Sequence, residues 1–313
     1  MASNAPERRR AVYASVLYWQ AHELPLVERC VASLLEQHLG ETVTLHILVI
    51  DNGCGATPRL PPVETVELVR LAENVGFTGG HNAAMRCALE AGADSVFLVN
   101  SDVVADPHCV AALVEAADAD PTAGLLGPLV LCEAPAEQVQ SAGQAFNRWT
   151  GRHTELDRGA PAQAIDSRPR AVDAASGCAL LARRALIERI GLLDDGLFFY
   201  FEDMDWCMRA HQAGFGVRVV PQARVWHLGG GSTGPASPRT TYFSIRNHLV
   251  VGRRHGQPAT RWLLPPLIVG YHLAFLLKSR QRRTPAHLRA LAGGALAALR
   301  DGARPRAHRA RRD

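Results

Sequence analysis

Apolar and polar positions along the first third of the chain follow two interleaved rhythms. Val12 to Tyr18 is an almost unbroken apolar run of strand length. The segment behind it sets Leu26, Cys30 and Leu34 beside Val27, Val31 and Leu35, a four-residue spacing that gives one apolar helix face. The rhythm then repeats. Val43 to Ile50 is a β-branched run that stops at Asp51-Asn52-Gly53, and Thr65 to Leu71 is a further strand ending near Asn74. A helix is expected from about Asn82 to Glu90. Ser95 to Val99 is a short apolar strand that stops at Asn100-Ser101-Asp102, and Pro107 stands where it opens the next helix. Strand and helix in alternation predict an α/β fold on a mostly parallel central sheet with flanking helices.

Composition adds little to this and charge adds more. A chain of 313 residues with 47% apolar residues can bury one large α/β domain or two small ones. The net charge is only +4, but the basic excess sits after Lys278. There Arg280, Arg282, Arg283, Arg289, Arg300, Arg304, Arg306, Arg309, Arg311 and Arg312 face only Asp301 and Asp313. Such a tail is a solvated arginine-rich terminus or a contact for an anionic surface, acidic lipid or nucleic acid. Cys30, Cys54, Cys87, Cys109, Cys132, Cys178 and Cys207 are odd in number and lack close pairs. That argues against a disulfide framework or a zinc knuckle and for a reducing cytosol. Arg8 to Arg10 followed by Ala11 to Trp19 has the outline of a signal peptide but is too short, and reads as the first core strand. Trp262 to Leu277, interrupted by Pro265, Pro266, Gly270 and His272, is shorter than a bilayer span. It suits a membrane interface, a helix packed on the main domain or a dimer contact equally.

The candidate chemistry gathers at strand ends. Asp51 and Asp102 each close a strand, and in open parallel sheets ligands bind in the crevice beyond those carboxyl ends. Trp19, Gln20, Ala21 and His22 occupy the turn after the first strand, so the dinucleotide fingerprint is missing there, and no phosphate-binding P-loop occurs. Asn74 to Asn82, with Gly76, Gly79 and Gly80, lets backbone approach a ligand or simply makes a turn. Further on, Phe198 to Phe201 lead into Glu202, Asp203, Met204, Asp205 and Trp206. Carboxylates beside a water-poor aromatic surface suit deprotonation of a hydroxyl, while three acids in a row also suit the N-terminus of a helix. Repulsion among the acids raises a pKa and a helix N-terminus lowers it, and the sequence leaves that balance open.

Ile50-Asp51-Asn52-Gly53, Asn74-Val75-Gly76-Phe77 with Gly79, Gly80 and Asn82, Val99-Asn100-Ser101-Asp102, Ser176-Gly177-Cys178 and Tyr200-Phe201-Glu202-Asp203-Met204-Asp205-Trp206 occur in one order. In that order they resemble the family 2 glycosyltransferases, most closely the bacterial rhamnosyltransferase-like members, over roughly the first three quarters of the chain. The resemblance implies a GT-A fold with a Rossmann-like central sheet. It also implies a dTDP- or UDP-linked sugar donor, L-rhamnose among the candidates, a Mn2+ or Mg2+ ion and transfer with inversion. On this reading residues 1–10 are a flexible N-terminus, 11–235 the catalytic domain and 236–313 a C-terminal helical region with an apolar segment and a basic extension.

The same resemblance assigns roles. Asp51, Asn52, Asn74, Gly76, Gly79, Asn82 and Asn100 would hold the donor nucleotide, with Asp51 accepting from the imide N–H of a pyrimidine base. Asp102 and His227 would hold the metal, Asn100 standing where the family often has another acid. Asp203 would be the general base with Glu202 assisting, and Asp205 and Trp206 would bind the acceptor, Asp205 serving alternatively as a helix cap. Gly229 to Gly234 would be a loop over the donor phosphates, Arg246 with Asn247 would reach diphosphate or acceptor, and Thr78, His81 and the segment 138–158 would read sugar hydroxyls. The acceptor would be a saccharide, a lipid-linked saccharide or a small molecule, and no nucleic acid is expected. The expected location is the cytoplasm, with peripheral contact at the inner face of the membrane through the C-terminal region. A noncatalytic sugar-nucleotide or glycan-binding scaffold is the alternative, and a nucleotidyltransferase is disfavoured by the missing phosphate loop.

Overall fold

The computed structural model describes residues 9–134, 137–228, 237–260, 262–279, 282 and 284–301. The first half of the chain forms β1 (Arg10–Tyr18), α1 (Leu24–Leu35), β2 (Val43–Asn52), β3 (Val66–Leu71), α2 (Gly76–Glu90), β4 (Ser95–Asn100), β5 (Val103–Ala105) and α3 (Cys109–Ala119). Then come β6 (Ala123–Cys132), β7 (Val139–Ser141), β8 (Gln144–Phe146), β9 (His153–Glu155), β10 (Arg170–Ala171), β11 (Ala179–Arg183) and α4 (Arg184–Ile190). The remainder is α5 (Glu202–Gln212), β12 (Gly216–His227), α6 (Pro238–His255), α7 (Leu264–Lys278) and α8 (Pro285–Asp301).

The large sheet has the order β10-β12-β6-β11-β4-β1-β2-β3, with β5 added on β12 and β7 on β6, while β8 and β9 form a separate hairpin. Strands β3, β2, β1 and β4 are parallel, as the alternation predicts, and so are β6 and β12. The short strands β5, β7 and β10 are antiparallel, and within the sheet's centre so is β11, to both β4 and β6. Its start, Ala179, lies opposite Val99 near the end of β4, so the chain re-enters the sheet from the end where the parallel strands finish.

Why the strands read as unbroken apolar runs is clear from the two faces. Val12, Ala14, Val16 and Tyr18 of β1 pack with Val27, Cys30, Val31 and Leu34 of α1 and with Cys109, Val110 and Leu113 of α3. Leu17 turns to the opposite face, with Leu48 and Ile50 of β2, Met85 and Ala88 of α2 and Trp206 of α5. Both faces being covered, alternation of polarity disappears. Each such buried aliphatic side chain contributes about 1.5–3 kcal/mol. The buried stripe of α1 is centred on Val27 and Leu34, which leaves Leu35 at its edge and 40% exposed.

Helix α2 begins at Gly76, six residues before the expected Asn82, so the glycine-rich segment forms its first turns. Gly76 has φ +81°, and a Cβ there would lie 2.5 Å from the Phe198 ring. Only glycine meets both conditions.

After β12, α6 packs on α5, and α7 and α8 close a smaller apolar core through Ile245, Leu249, Leu264, Ile268, Leu276 and Leu291. Much of the outer face of α7 stays exposed. Among the described residues no helix is long and apolar enough to cross a membrane; α7, at 15 residues, spans about 22 Å against a hydrocarbon core of about 30 Å. Residues 1–8 of the expected flexible N-terminus, the Gly229 to Gly234 loop and the basic tail from 302 onward lie outside the described residues.

Candidate active site

Strand β4 ends at Asn100, and the chain turns through Ser101 and Asp102 into β5, which pairs with the end of β12. That pairing sets His227 opposite Val103, and the Leu228 N–H donates to the Asp102 carbonyl at 3.1 Å. The side chains follow the backbone: His227 Nε2 lies 3.2 Å from Asp102 Oδ1. On the other side of the ring, Gln140 Oε1 accepts from Nδ1 at 3.1 Å. With the proton on Nδ1, the lone pair of Nε2 and the carboxylate face each other. Two acceptors at that distance call for a cation or a second proton between them. Asn100 Oδ1, buried and without a hydrogen-bond partner, opens on the same cavity.

This donor set fits a divalent metal. Two oxygen or nitrogen ligands on one hard cation at about 2.1 Å lie about 3 Å apart when adjacent, close to the separation seen. Among the described residues no group of three or more His, Cys, Asp or Glu side chains gathers, so the protein would supply Asp102 and His227, with Asn100 adding a neutral oxygen. Phosphate oxygens and water would complete the shell, as is usual for Mg2+ and Mn2+ sites.

The acids of α5 face that pair across a cavity of about 240 Å³, lined by Asn100, Asp102, Glu202, Asp203 and His227 with Leu17, Trp19, Phe77, Phe199 and Tyr200. Asp203 Oδ2 accepts from the Gly177 N–H at 2.8 Å and Oδ1 from the Met204 N–H at 2.7 Å. A Cβ on Gly177 would come within 3.0 Å of the Asp203 Cβ, so glycine is what lets this backbone donor reach the carboxylate. Glu202 is 6% exposed and its Oε2 has no partner. Burial first, and the neighbouring Asp203 second, push the Glu202 carboxyl well above the ordinary range, and burial raises Asp203 as well. Desolvation therefore outweighs the helix N-terminus, the balance that the sequence left open. Pushed up to about 8, the Glu202 carboxyl keeps its proton at neutral pH, while the two N–H donors favour the anion on Asp203.

The aromatic run ahead of the acids is strained. Phe198, Tyr200 and Phe201 have φ of 61°, 71° and 66°, positions that cost on the order of 1 kcal/mol each for side chains of this kind. Asn247 of α6 holds the run in place: its Nδ2 donates to the carbonyls of Leu197, Phe199 and Tyr200 at 2.7, 2.8 and 2.9 Å. Arg246 donates to the Gly196 carbonyl and to Asn247 Oδ1. These two residues, expected at diphosphate or acceptor, serve the loop that presents the acids.

The remaining expected site residues divide sharply. Asp51 lies at the carboxyl end of β2, 1% exposed, and accepts from the N–H groups of Cys54 and Gly55 and from Arg70 at 2.9 Å. Asn52 bonds Asn74, the Gly76 carbonyl and the Val75 N–H, fixing the turn into α2. Asn82 is buried against Leu193 and Asp195, and Gly79 gives room to the Val75 side chain. None of these residues lines that cavity.

Asp205 and Trp206 require correction as acceptor residues. Asp205 is 1% exposed and bonded to Arg209, Arg254 and His255, and Trp206 is fully buried with its indole N–H on the Gly191 carbonyl. They stand one turn further along α5 than Glu202, where α6 covers Asp205 and the Gly191 turn covers Trp206. Nor does Asp205 cap α5, which begins at Glu202. Thr78 and His81 are fully buried, His81 on Ser15 Oγ at 2.8 Å and pushed down to about 3 by burial, so neither reads a sugar. Gln140 falls within the 138–158 segment, but as the partner of His227; for the donor role of Gly177 the Ser176-Gly177-Cys178 motif is the one signal.

The chain is 28% identical over 297 residues to the N-acetylglucosaminyl-diphospho-decaprenol L-rhamnosyltransferase of Mycobacterium tuberculosis, covering 83% of this chain and 92% of that one. It is 23% identical to the dTDP-rhamnosyl transferase RfbF of Shigella flexneri, over 79% of this chain and 81% of that protein. The mannosyltransferase PcManGT of Pyrobaculum calidifontis, solved with GDP-Man and Mn2+, superposes with a TM-score of 0.56 at 17% identity, over 95% and 89% of the two chains. GalNAc-T7, solved with UDP, GalNAc and Mn2+, gives a TM-score of 0.58 at 15% identity, over 77% of this chain and 48% of that one, so these two share the fold. The family model for glycosyltransferase-like family 2 matches residues 11–249, and the chain belongs to that family as a glycosyltransferase of the GT-A fold.

Proposed function

We propose that the protein is an inverting, metal-dependent transferase that moves a sugar, L-rhamnose in the first instance, from a dTDP- or UDP-linked donor to a hydroxyl of a saccharide acceptor. The observation that carries this reading is the single cavity in which Asp102 and His227 face Asp203 and Glu202. The rhamnosyltransferase names of two relatives support the choice of sugar, and the decaprenol-linked name of one supports a lipid-linked acceptor. The catalytic unit is proposed to run from 11 to 235, with 236–313 a helical region that braces it.

The residues divide the work. Asp203, ionised and held by Gly177 and Met204, accepts the proton of the acceptor hydroxyl as that oxygen attacks the anomeric carbon. Its raised pKa makes it a stronger base than an exposed aspartate. Glu202, protonated, keeps a second negative charge out of the site. Asp102, His227 and Asn100 would hold a divalent ion, which when bound supplies positive charge for the departing diphosphate. Trp19, Phe77 and Phe199, in ring contact at 5.9 and 6.4 Å, exclude water from the reacting atoms. Asp51, at a strand end beside Arg70, is proposed to border the nucleotide base.

A thermal-shift screen of dTDP- and UDP-sugars with and without Mn2+ tests the donor side, since a ligand of the folded state raises the melting temperature with occupancy. A metal-dependent shift by dTDP-rhamnose is expected; no shift with any nucleotide sugar would favour the noncatalytic scaffold.

A further inference from the structure

A second cavity, of about 440 Å³, opens on the other side of Asp203 and Tyr200. Its inner wall comes from the β8–β9 hairpin: His153 and Glu155 of β9 face it, and His153 Nδ1 and Glu155 Oε2 are buried without a hydrogen-bond partner. Buried polar atoms of this kind are rare unless a ligand or water meets them. Glu155 Oε1 is held at 2.8 Å by Gln144, so the carboxylate is fixed in the cavity wall. Two cations, Arg158 and Arg282, also line the cavity. The remaining wall is α7, where Tyr271 and Phe275 face the cavity. With Leu267 they continue outward at four-residue spacing as a stripe 49, 42 and 49% exposed at Leu267, Tyr271 and Phe275.

We infer that this second cavity is the acceptor chamber, and that it takes a saccharide joined through phosphate to an apolar chain. The sugar lies toward Asp203 and is read by Glu155 and His153, the phosphate lies by Arg158 and Arg282, and the apolar chain runs along Tyr271, Phe275 and Leu267. This deepens the transferase reading and rests on it. Three chemistries in one cavity argue for one ligand that carries all three. Orphan hydrogen-bonding atoms sit beside the proposed base, guanidinium groups line the same space, and an exposed apolar stripe leads away. A free oligosaccharide would leave both arginines and the stripe unused. The geometry also explains why Asp203 belongs to both cavities: the acceptor hydroxyl arrives from one and the anomeric carbon from the other.

Isothermal titration of the full chain, without divalent metal, separates the sources of this chemistry. The probes are farnesyl diphosphate, inorganic pyrophosphate and farnesol, with dTDP and UDP plus Mn2+ titrated in parallel. Farnesyl diphosphate is expected to bind at least tenfold more tightly than either fragment. Arg158→Ala and Arg282→Ala should each weaken it several-fold, and Phe275→Ser should remove its advantage over pyrophosphate. All three variants should bind dTDP or UDP as the parent does. Equal affinity for pyrophosphate and farnesyl diphosphate, or arginine variants that bind farnesyl diphosphate unchanged, overturns the assignment. Loss of nucleotide binding by the parent protein would instead overturn the transferase reading beneath it.

Discussion

At the residue scale, the proton inventory of two adjacent carboxyls decides the chemistry. Asp203 and Glu202 share burial and proximity, and differ in that backbone N–H groups reach only the former with two donors. Asp203→Asn keeps the shape and removes the base. Transfer should fall by about 10²–10⁴-fold while nucleotide binding persists, measured by product formation beside a nucleotide titration; full turnover by the variant would dismiss the assignment. Glu202 makes a separate prediction about stability. Its carboxyl is raised from an ordinary value near 4.5 to about 8, so between those values the native state holds a proton that the unfolded chain has released. Stability is therefore greatest below the lower value and declines as pH rises through the window. Glu202→Gln should flatten that decline and gain on the order of 2 kcal/mol at pH 8. Urea unfolding at pH 5 and pH 8 reads the difference, and parallel profiles for the two proteins would refute it.

At the element scale, the acids stand where they do because α6 grips the loop that leads into α5. Three consecutive uses of one amide, Asn247 Nδ2, hold a run with three residues at positive φ. Asn247→Ala takes the side-chain donor from the Phe199 and Tyr200 carbonyls, Leu197 keeping the Phe199 N–H, and should destabilise the chain by about 1–3 kcal/mol. It should also lower kcat more than it changes the donor affinity, because the loop presents Asp203 while Asp102 and His227 are held by β5 and β12. Steady-state kinetics beside urea unfolding checks this; an intact kcat in a destabilised protein would show that the loop holds its shape without the clamp. The aromatic-acid motif was legible in sequence as a cluster, yet its clamp was not. Asn247 lies far along the chain, and nothing local marks an amide as the partner of carbonyls 47 to 50 positions earlier.

At the scale of the whole molecule, the C-terminal helices are part of the site's foundation. Asp205, nearly fully buried, ties α5 to α6 through Arg254 at 3.1 Å and His255 at 2.9 Å, and to Arg209 within its own helix. Hydrogen bonds and these cations hold its carboxyl well below the usual range in spite of burial. Its contribution is thus complete above the ordinary carboxylate range and is lost as pH falls beneath it. Asp205→Ala leaves the buried Arg209 guanidinium without its carboxylate and should cost about 3–5 kcal/mol, seen as a lower urea midpoint at pH 7 that converges on the parent's in acid. A midpoint unchanged at neutral pH would mean that the tie carries no load. The sequence by itself determined the layered α/β order, because apolar period and strand-end acids are local and survive without knowledge of partners. It also determined which acids could do chemistry, through the order of motifs. Only the tertiary structure decided which of those acids face the cavity. Asp205 stands one turn along α5 from Glu202, and what separates them is α6, whose Arg254 and His255 cover Asp205 while Glu202 and Asp203 line the cavity. Likewise, the pairing of Asp102 with His227 depends on β5 lying against β12, and no local pattern encodes that long-range contact.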